Sequence, residues 1–152
     1  MKIGIIDTTF AKINMGKIAA DELGMNYPGA KVERRTVPGI KDLPVACKLL
    51  LKECDICMAL GMPGAKPIDK ECAGQASLGI IMAQLMMEKH IVEVFVFEDE
   101  AKNEKELKQI TEDRVKKHAH NAVALVKGGV LERKAGKGLR QGKLKQRIGL
   151  FV

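Results

Sequence analysis

The chain has 152 residues, 46% of them hydrophobic and 30% charged, with three histidines and four cysteines. That length holds one well-buried core and is short for two ordinary domains, and the composition excludes an intrinsically disordered chain. No apolar run approaches the roughly 18 residues that a spanning helix needs, and Met1 leads into a strand-like segment without a signal-peptide pattern, so a cytoplasmic protein with no membrane contact is expected.

The net charge of +7 is unevenly placed. Lys127, Arg133, Lys134, Lys137, Arg140, Lys143, Lys145 and Arg147 face a single acid, Glu132, which leaves 18 bases and 18 acids up to Val126. The reading is an α/β domain over residues 1–127 and a basic, Gly-rich, irregular tail over 128–152. Such a tail suits phosphates, an acidic partner or plain solvent. One tyrosine and no tryptophan supply few platforms for base stacking, which disfavours nucleic acid. Cys47, Cys54, Cys57 and Cys72 are expected to be reduced and buried. The Cys54-x-x-Cys57 pair leads into a strand, whereas a redox pair opens a helix, and no metal site is assigned.

Residues 2–7 (KIGIID) read as a buried strand, followed by a loop with Thr8, Thr9 and Phe10. The threonines suit either ligand groups or the cap of a turn. Phe10 suits a flat ligand or a place beneath its own loop. Helical spacing follows over 13–23, a strand over 31–37, and a helix over 40–53 opened by Pro38, Gly39, Ile40, Lys41 and Asp42. There, glycine permits close backbone approach, the helix start offers N–H donors, and Asp42 suits a hydroxyl or the helix dipole. A strand over 55–61 leads to a Gly/Pro loop, Met62-Pro63-Gly64-Ala65-Lys66, with Lys66 its one charge and no phosphate-cradling glycine pattern. A long helix over 69–89, a strand over 91–98 and a helix over 103–126 capped by Asn103 complete the domain. Glu98-Asp99-Glu100 form a carboxylate cluster suited to accepting protons, binding a cation or facing solvent. Arg114 and His118 share one face of the last helix.

The alternation β-α-β-α-β-α-β-α predicts a four-stranded parallel sheet covered on both faces, with ligands along its carboxyl edge. The Met- and Ala-rich helices predict a homo-oligomer.

Taken together, Asp7-Thr8-Thr9-Phe10-Ala11, VPGIKDLPVA (37–46), ALGMPG (59–64), ASLGIIMAQL (76–85), VFVFEDEAK (94–102) and AGKGLRQG (135–142) resemble the archaeal-type riboflavin synthases, in order and over nearly the whole chain. That family is related to lumazine synthase, whose VPG-aromatic-Glu-Ile/Leu-Pro stretch is similar to VPGIKDLP. The resemblance implies a flavodoxin-like, lumazine synthase-like three-layer α/β/α sandwich, a pentameric ring, and active sites where adjacent subunits meet. It implies a transferase that dismutates two molecules of 6,7-dimethyl-8-ribityllumazine into riboflavin and 5-amino-6-ribitylamino-pyrimidinedione, without an organic cofactor and with magnesium dependence left open. By the same resemblance, Phe10 lies against a lumazine ring, Gly39, Ile40 and Lys41 offer backbone contacts, Asp42 holds ribityl hydroxyls, and Met62, Pro63, Gly64 and Lys66 border the second ring. Glu98, Asp99 and, from a neighbouring copy, His118 are candidates for proton transfer. The rivals are lumazine synthase itself, which condenses a dihydroxybutanone phosphate, and a non-catalytic flavin- or RNA-binding protein. Lumazine synthase has an Arg-Gly-x-Thr-x-His segment, whereas here no histidine follows Gly61 until His90.

Overall fold

A computed structural model of the chain describes residues 1–139. Arg140, Lys143, Lys145 and Arg147, with the end of the AGKGLRQG stretch, lie outside the described residues. Among those described, four strands, β1 (Lys2–Thr8), β2 (Lys31–Val37), β3 (Ile56–Gly61) and β4 (Ile91–Phe95), form one parallel sheet in the order β2-β1-β3-β4. The helices are α1 (Met15–Asn26), α2 (Leu43–Leu50), α3 (Pro67–Met87) and α4 (Glu104–Lys127).

The strand order follows from the residues. β1 and β3 are apolar at almost every position and take the two central places, where both faces are covered; β2, with Lys31, Glu33, Arg34 and Arg35, takes an edge. Alternate side chains serve two cores. Ile3, Ile5, Met58, Leu60 and Val94 meet α1 and α4, whereas Ile6, Cys57, Ala59 and Phe95 meet α2 and α3. The layers are therefore α1/α4, sheet, and α2/α3. From β1 the chain first moves outward to β2 and then crosses back to β3, so its direction reverses between the carboxyl ends of β1 and β3, the place where open parallel sheets leave a crevice.

Helix ends differ from the expected ones by up to three residues, as at α1 and α3, and two further boundaries moved. The segment 40–53 divides into a short 3-10 turn, Ile40–Asp42, and α2, because Pro44 suits only a helix start. The last strand stops at Phe95, opposite Gly61, rather than at 98; the backbone N–H of Glu98 then donates to the Pro63 carbonyl at 2.9 Å, and Glu98–Glu100 turn as a second 3-10 segment.

α3 buries only Ala73, Ala76, Ile80 and Ala83, so it lies close on the sheet with small residues. A Cβ on Gly79 would stand 2.8 Å from the Pro44 ring, which measures how closely α2 and α3 cross. The opposite side of the helix exposes Leu78, Ile81, Met82, Leu85 and Met86. From Leu78 onward the helix is largely apolar on both sides yet covered on one in a single copy.

Glu93 on β4 points toward α3 and accepts a hydrogen bond from Ser77 Oγ at 2.8 Å. Burial pushes its carboxyl above the ordinary value of 4.5, and the Ser77 bond opposes this only in part. The folded chain therefore holds the proton more tightly than the unfolded chain, and stability is expected to decline as pH rises from about 4.5 through the raised value. Glu93→Gln should flatten that part of the profile in urea denaturation taken across pH, and should leave the protein at neutral pH at least as stable as the wild type.

Candidate functional site

Three loops leave the carboxyl edge side by side, and each is closed by a side chain of its own. At the exit of β2, Asp42 Oδ2 accepts from the Gly39 amide at 3.1 Å while the Asp42 amide donates back to the Gly39 carbonyl. At the start of α3, Asp69 Oδ2 accepts from the Lys66 amide at 3.1 Å, and the Asp69 amide donates to the Lys66 carbonyl. At the exit of β4, Glu100 Oε1 accepts from the Phe97 amide at 3.0 Å. In every case a carboxylate three residues on satisfies an N–H that the coming helical turn cannot.

The exit of β1 is held differently. Asp7 is 3% exposed, and its carboxylate accepts from Thr36 Oγ1 at 2.7 Å, from the Gly16 amide at 3.2 Å and from the Arg34 guanidinium at 2.5 Å. Arg34 also donates to Asn14 Oδ1 at 2.6 Å, and the same Asn14 oxygen caps α1 by accepting from the Lys17 amide. Thr8 Oγ1 accepts from the Ala11 amide, closing the turn. The Thr9 amide donates to the Val37 carbonyl at 2.9 Å and its hydroxyl to the Pro38 carbonyl at 3.3 Å, which fixes the β1 loop against the β2 loop.

Between these loops lies a cavity of about 230 Å³, lined by Phe10, Gly39, Ile40, Lys41, Asp42, Pro63, Asp69 and Cys72. Phe10, Ile40, Pro63 and Cys72 give it apolar walls, and Asp42, Asp69 and Lys41 give it charge. Phe10 remains 56% exposed, so its ring is not covered by its own loop. Behind it Gly61 lets Ile40 and Phe95 pack closely, since a Cβ there would stand 2.9 Å from both Ile40 and the Phe95 ring.

Six of the residues expected at a site (Phe10, Gly39, Ile40, Lys41, Asp42 and Pro63) line this cavity. Thr8, Thr9 and Pro38 stand behind it in the loop hydrogen bonds. Met62 is fully buried in the α1/α4 core, because it continues the inward alternation of β3. Gly64 is buried against Asp69, and Lys66 is exposed at the N-cap of α3; neither is among the lining residues. Sequence reasoning passed over Asp69 and Cys72. They lie three residues apart on the first turns of α3, a spacing that puts them on one face, and the acid three residues after Lys66 was the legible signal.

The carboxylate cluster divides among three cations. Glu98 meets Lys12 Nζ at 3.3 Å, Asp99 meets Lys70 at 2.6 Å, and Glu100 receives the Arg114 guanidinium through Nη1 at 2.8 Å and Nη2 at 2.5 Å. Burial works to raise the Glu100 carboxyl, but the Arg114 bonds, the Phe97 amide and the Arg114 charge together outweigh it and hold Glu100 below the ordinary range. Arg114 Nη1 also donates to the Phe95 carbonyl at 2.8 Å, tying α4 to the end of β4. Glu98 and Asp99 are thus at the carboxyl edge without lining the cavity. His118 lies one turn further along α4, in the α1/α4 layer, apart from the cavity of its own copy. Its Nδ1 is 2.7 Å from the Arg114 carbonyl, an acceptor, so Nδ1 carries the proton and Nε2 the lone pair. Burial pushes its pKa down. No group of three or more His, Cys, Asp or Glu placed to hold a metal ion occurs among the described residues.

The fold and the site define a class: a parallel-sheet α/β protein with a mostly apolar, carboxylate-edged cavity at the reversal of its strand order, suited to a flat polar-substituted ligand. Residues 1–128 match the family model described as 6,7-dimethyl-8-ribityllumazine synthase, and the chain belongs to that family. It is 54% identical to a riboflavin synthase of Methanothermobacter thermautotrophicus over 94% of this chain and 95% of that protein. It is 50% identical to a riboflavin synthase of Archaeoglobus fulgidus over 93% and 94%, and 44% identical to one of Aeropyrum pernix over 92% of each chain.

The four thiols differ in access. Cys47, Cys54 and Cys57 are buried, and burial pushes the Cys47 thiol up to about 12, whereas Cys72 is half-buried on the cavity wall. Iodoacetamide at pH 8 is expected to label Cys72 well before the other three, as read by peptide mass spectrometry. Equal labelling of all four would mean that the wall is not where the structure puts it.

Proposed function

We propose that this chain is a riboflavin synthase: it takes two molecules of 6,7-dimethyl-8-ribityllumazine and transfers a four-carbon unit from one to the other. The observation that carries the choice within the family is the 44–54% identity, over more than nine-tenths of each protein, to archaeal proteins named riboflavin synthase. The four carbons that move are C6, C7 and their two methyl groups. The acceptor becomes riboflavin, and the donor leaves as the ribitylamino-pyrimidinedione, so no external oxidant or carbon donor is required.

In this reading Phe10 stacks on a lumazine ring, the Gly39–Lys41 backbone meets its polar edge, and Asp42 takes ribityl hydroxyls. Pro63 borders the second ring, with Gly64 behind it and Lys66 exposed at the N-cap of α3. The reaction begins when a proton leaves the position-7 methyl group, which the electron-poor ring makes acidic. Glu98, Asp99 and a neighbouring copy's His118 are the proposed proton carriers. With its pKa lowered by burial, His118 is neutral near pH 7, and Nε2 is the atom that accepts. Holding two rings in register supplies much of the acceleration, since positioning alone is worth roughly 7–11 kcal/mol. No organic cofactor is called for. Each of the three clustered carboxylates is engaged by a cation, and no step is routed through a magnesium ion.

The reading includes assembly. The uncovered apolar side of α3, with Val45 and Leu49 of α2 also exposed, supports contact with further copies of the chain, proposed as a homopentamer. Light scattering should return five times the protomer mass of 16.6 kDa; a monomer at concentrations that are active would remove this part of the reading. The proposed compartment is the cytoplasm, consistent with four free thiols.

Purified protein given the lumazine alone should develop riboflavin's yellow-green fluorescence, with one pyrimidinedione released per riboflavin. A protein that leaves the lumazine unchanged, but makes it from the pyrimidinedione and dihydroxybutanone phosphate, would be a lumazine synthase instead. Phe10→Ala is expected to lower kcat/KM by on the order of tenfold or more with little change in melting temperature, because the ring is exposed and its loss removes stacking worth about 1 kcal/mol or more.

A further inference from the structure

We propose that Arg34 and Asp7 are positioning residues for the reaction, setting the place of Phe10 through a charge clamp at the two ends of its loop. The proposal deepens the riboflavin synthase reading and rests on it for the activity readout alone.

The clamp has one guanidinium at its centre. Arg34 Nη2 donates to Asp7 Oδ2, at the end of β1, and to Asn14 Oδ1, at the N-cap of α1, at 2.5 and 2.6 Å. Residues 9–13, including Phe10, span the gap between those two anchors. Both ends of the loop are therefore held by a single rigid group, and the separation of the ends is fixed by its bond geometry. Register explains how an edge strand reaches them: Asp7 pairs with Thr36 across the ladder, and Arg34 is two residues before Thr36, on the same face. Thr36 and the Gly16 amide occupy further acceptor sites of the Asp7 carboxylate, and a Cβ on Gly16 would run into both Asp7 and Arg34.

A structural role in the core does not account for Arg34. It sits on the edge strand, with its side chain 34% exposed, while the side chain of Asp7 is 4% exposed. A buried carboxylate at a strand exit is costly unless paired, and this one lies directly before Thr8, Thr9 and the exposed ring of Phe10. Thr9 passes the fixed geometry on to the opposite wall through the Val37 and Pro38 carbonyls. The clamp thus relates Phe10 to Gly39 and Ile40 across the cavity, although neither charged residue lines it.

The test uses the full-length protein with Arg34→Ala, Arg34→Lys and Asp7→Asn. Arg34→Ala is expected to lose kcat/KM by on the order of a hundredfold, the scale of an ångström-sized misplacement, and to bind riboflavin more weakly by fluorescence quenching. Guanidinium chloride at non-denaturing concentration should restore a large part of both, and ethylammonium chloride should not. Arg34→Lys should keep the melting temperature near that of the wild type while kcat still falls, because the lysine nitrogen ends one bond short of the place of Nη2 and lysine has no second nitrogen to keep the Nε contact to Asp7 Oδ1. Wild-type kcat/KM and riboflavin affinity in Arg34→Ala would overturn the proposal. So would a loss that tracks melting temperature across the three variants and that guanidinium does not recover, which is what a purely structural residue would give. Amide hydrogen exchange over residues 8–16 reads the clamp without activity: exchange should rise in Arg34→Ala and fall again with guanidinium, and unchanged exchange overturns the clamp. A wild-type protein inactive on lumazine would overturn the riboflavin synthase reading, while the exchange experiment would still decide the clamp.

Discussion

Parallel strands must all leave the sheet at one edge, and every exit strands backbone N–H groups that the next helix cannot satisfy. In this chain the answer is almost uniform. Asp42, Asp69 and Glu100 each reach back three residues to an amide, and Asn14 and Asn103 accept an amide three residues ahead at the starts of α1 and α4. The loops are consequently stiff without being thick, and the space between them stays open. A cavity at this edge is what remains once these turns have closed largely on themselves, with Thr9 and Glu98 each tying a loop to its neighbour. Asp42 and Asp69 then do two things at once, fixing a turn with one oxygen and bringing charge to the cavity wall.

That double use marks the border between what the residues made legible and what they did not. The continuous apolar runs of β1 and β3 marked them as buried strands of a covered parallel sheet, and the turn residues after β1, β2 and β3 led to the edge where the cavity lies. Local pattern failed where a decision depended on depth. Met62 follows β3 inside a Gly/Pro loop and reads as a rim residue, yet the alternation of the strand continues one step further and sends it into the core. Glu98 reads as a strand end, yet the β3–α3 loop takes over as its partner and turns it. Cys72 reads as one more buried thiol, yet the helix start that holds Asp69 also brings it to the cavity. No local pattern marks Arg34, because its partner, Asp7, is 27 residues away in sequence and adjacent only through the ladder.

Charge distribution at this edge follows the same economy. Three consecutive acids would repel one another if left together, but the 3-10 turn at Glu98–Glu100 fans them toward different elements: Lys12 on the β1 loop, Lys70 on α3 and Arg114 on α4. Two of the pairs are largely exposed and contribute little to stability. The third is not. Arg114 is 7% exposed, bridges Glu100 and the Phe95 carbonyl, and so holds the β4 exit in place from the far layer. His118, bonded to the Arg114 carbonyl, is oriented by the same turn of helix.

The relation between assembly and chemistry rests on α3. Its first turns supply Asp69 and Cys72 to the cavity, its inner side lies on the sheet through alanines, and its outer side presents Leu78, Ile81, Met82, Leu85 and Met86. A helix that touches the sheet through small residues lies close to it, and Gly79 lets Pro44 of α2 pack directly against it. Any contact that presses on the outer side is therefore transmitted to a rigid body whose other end is a wall of the site. In the pentamer proposed above, the neighbour would do more than cover apolar surface: by fixing the inclination of α3 it would set the width between Cys72 and Phe10. A site open on one side in a single copy, with its flattest residue exposed, is what such an arrangement requires of each protomer.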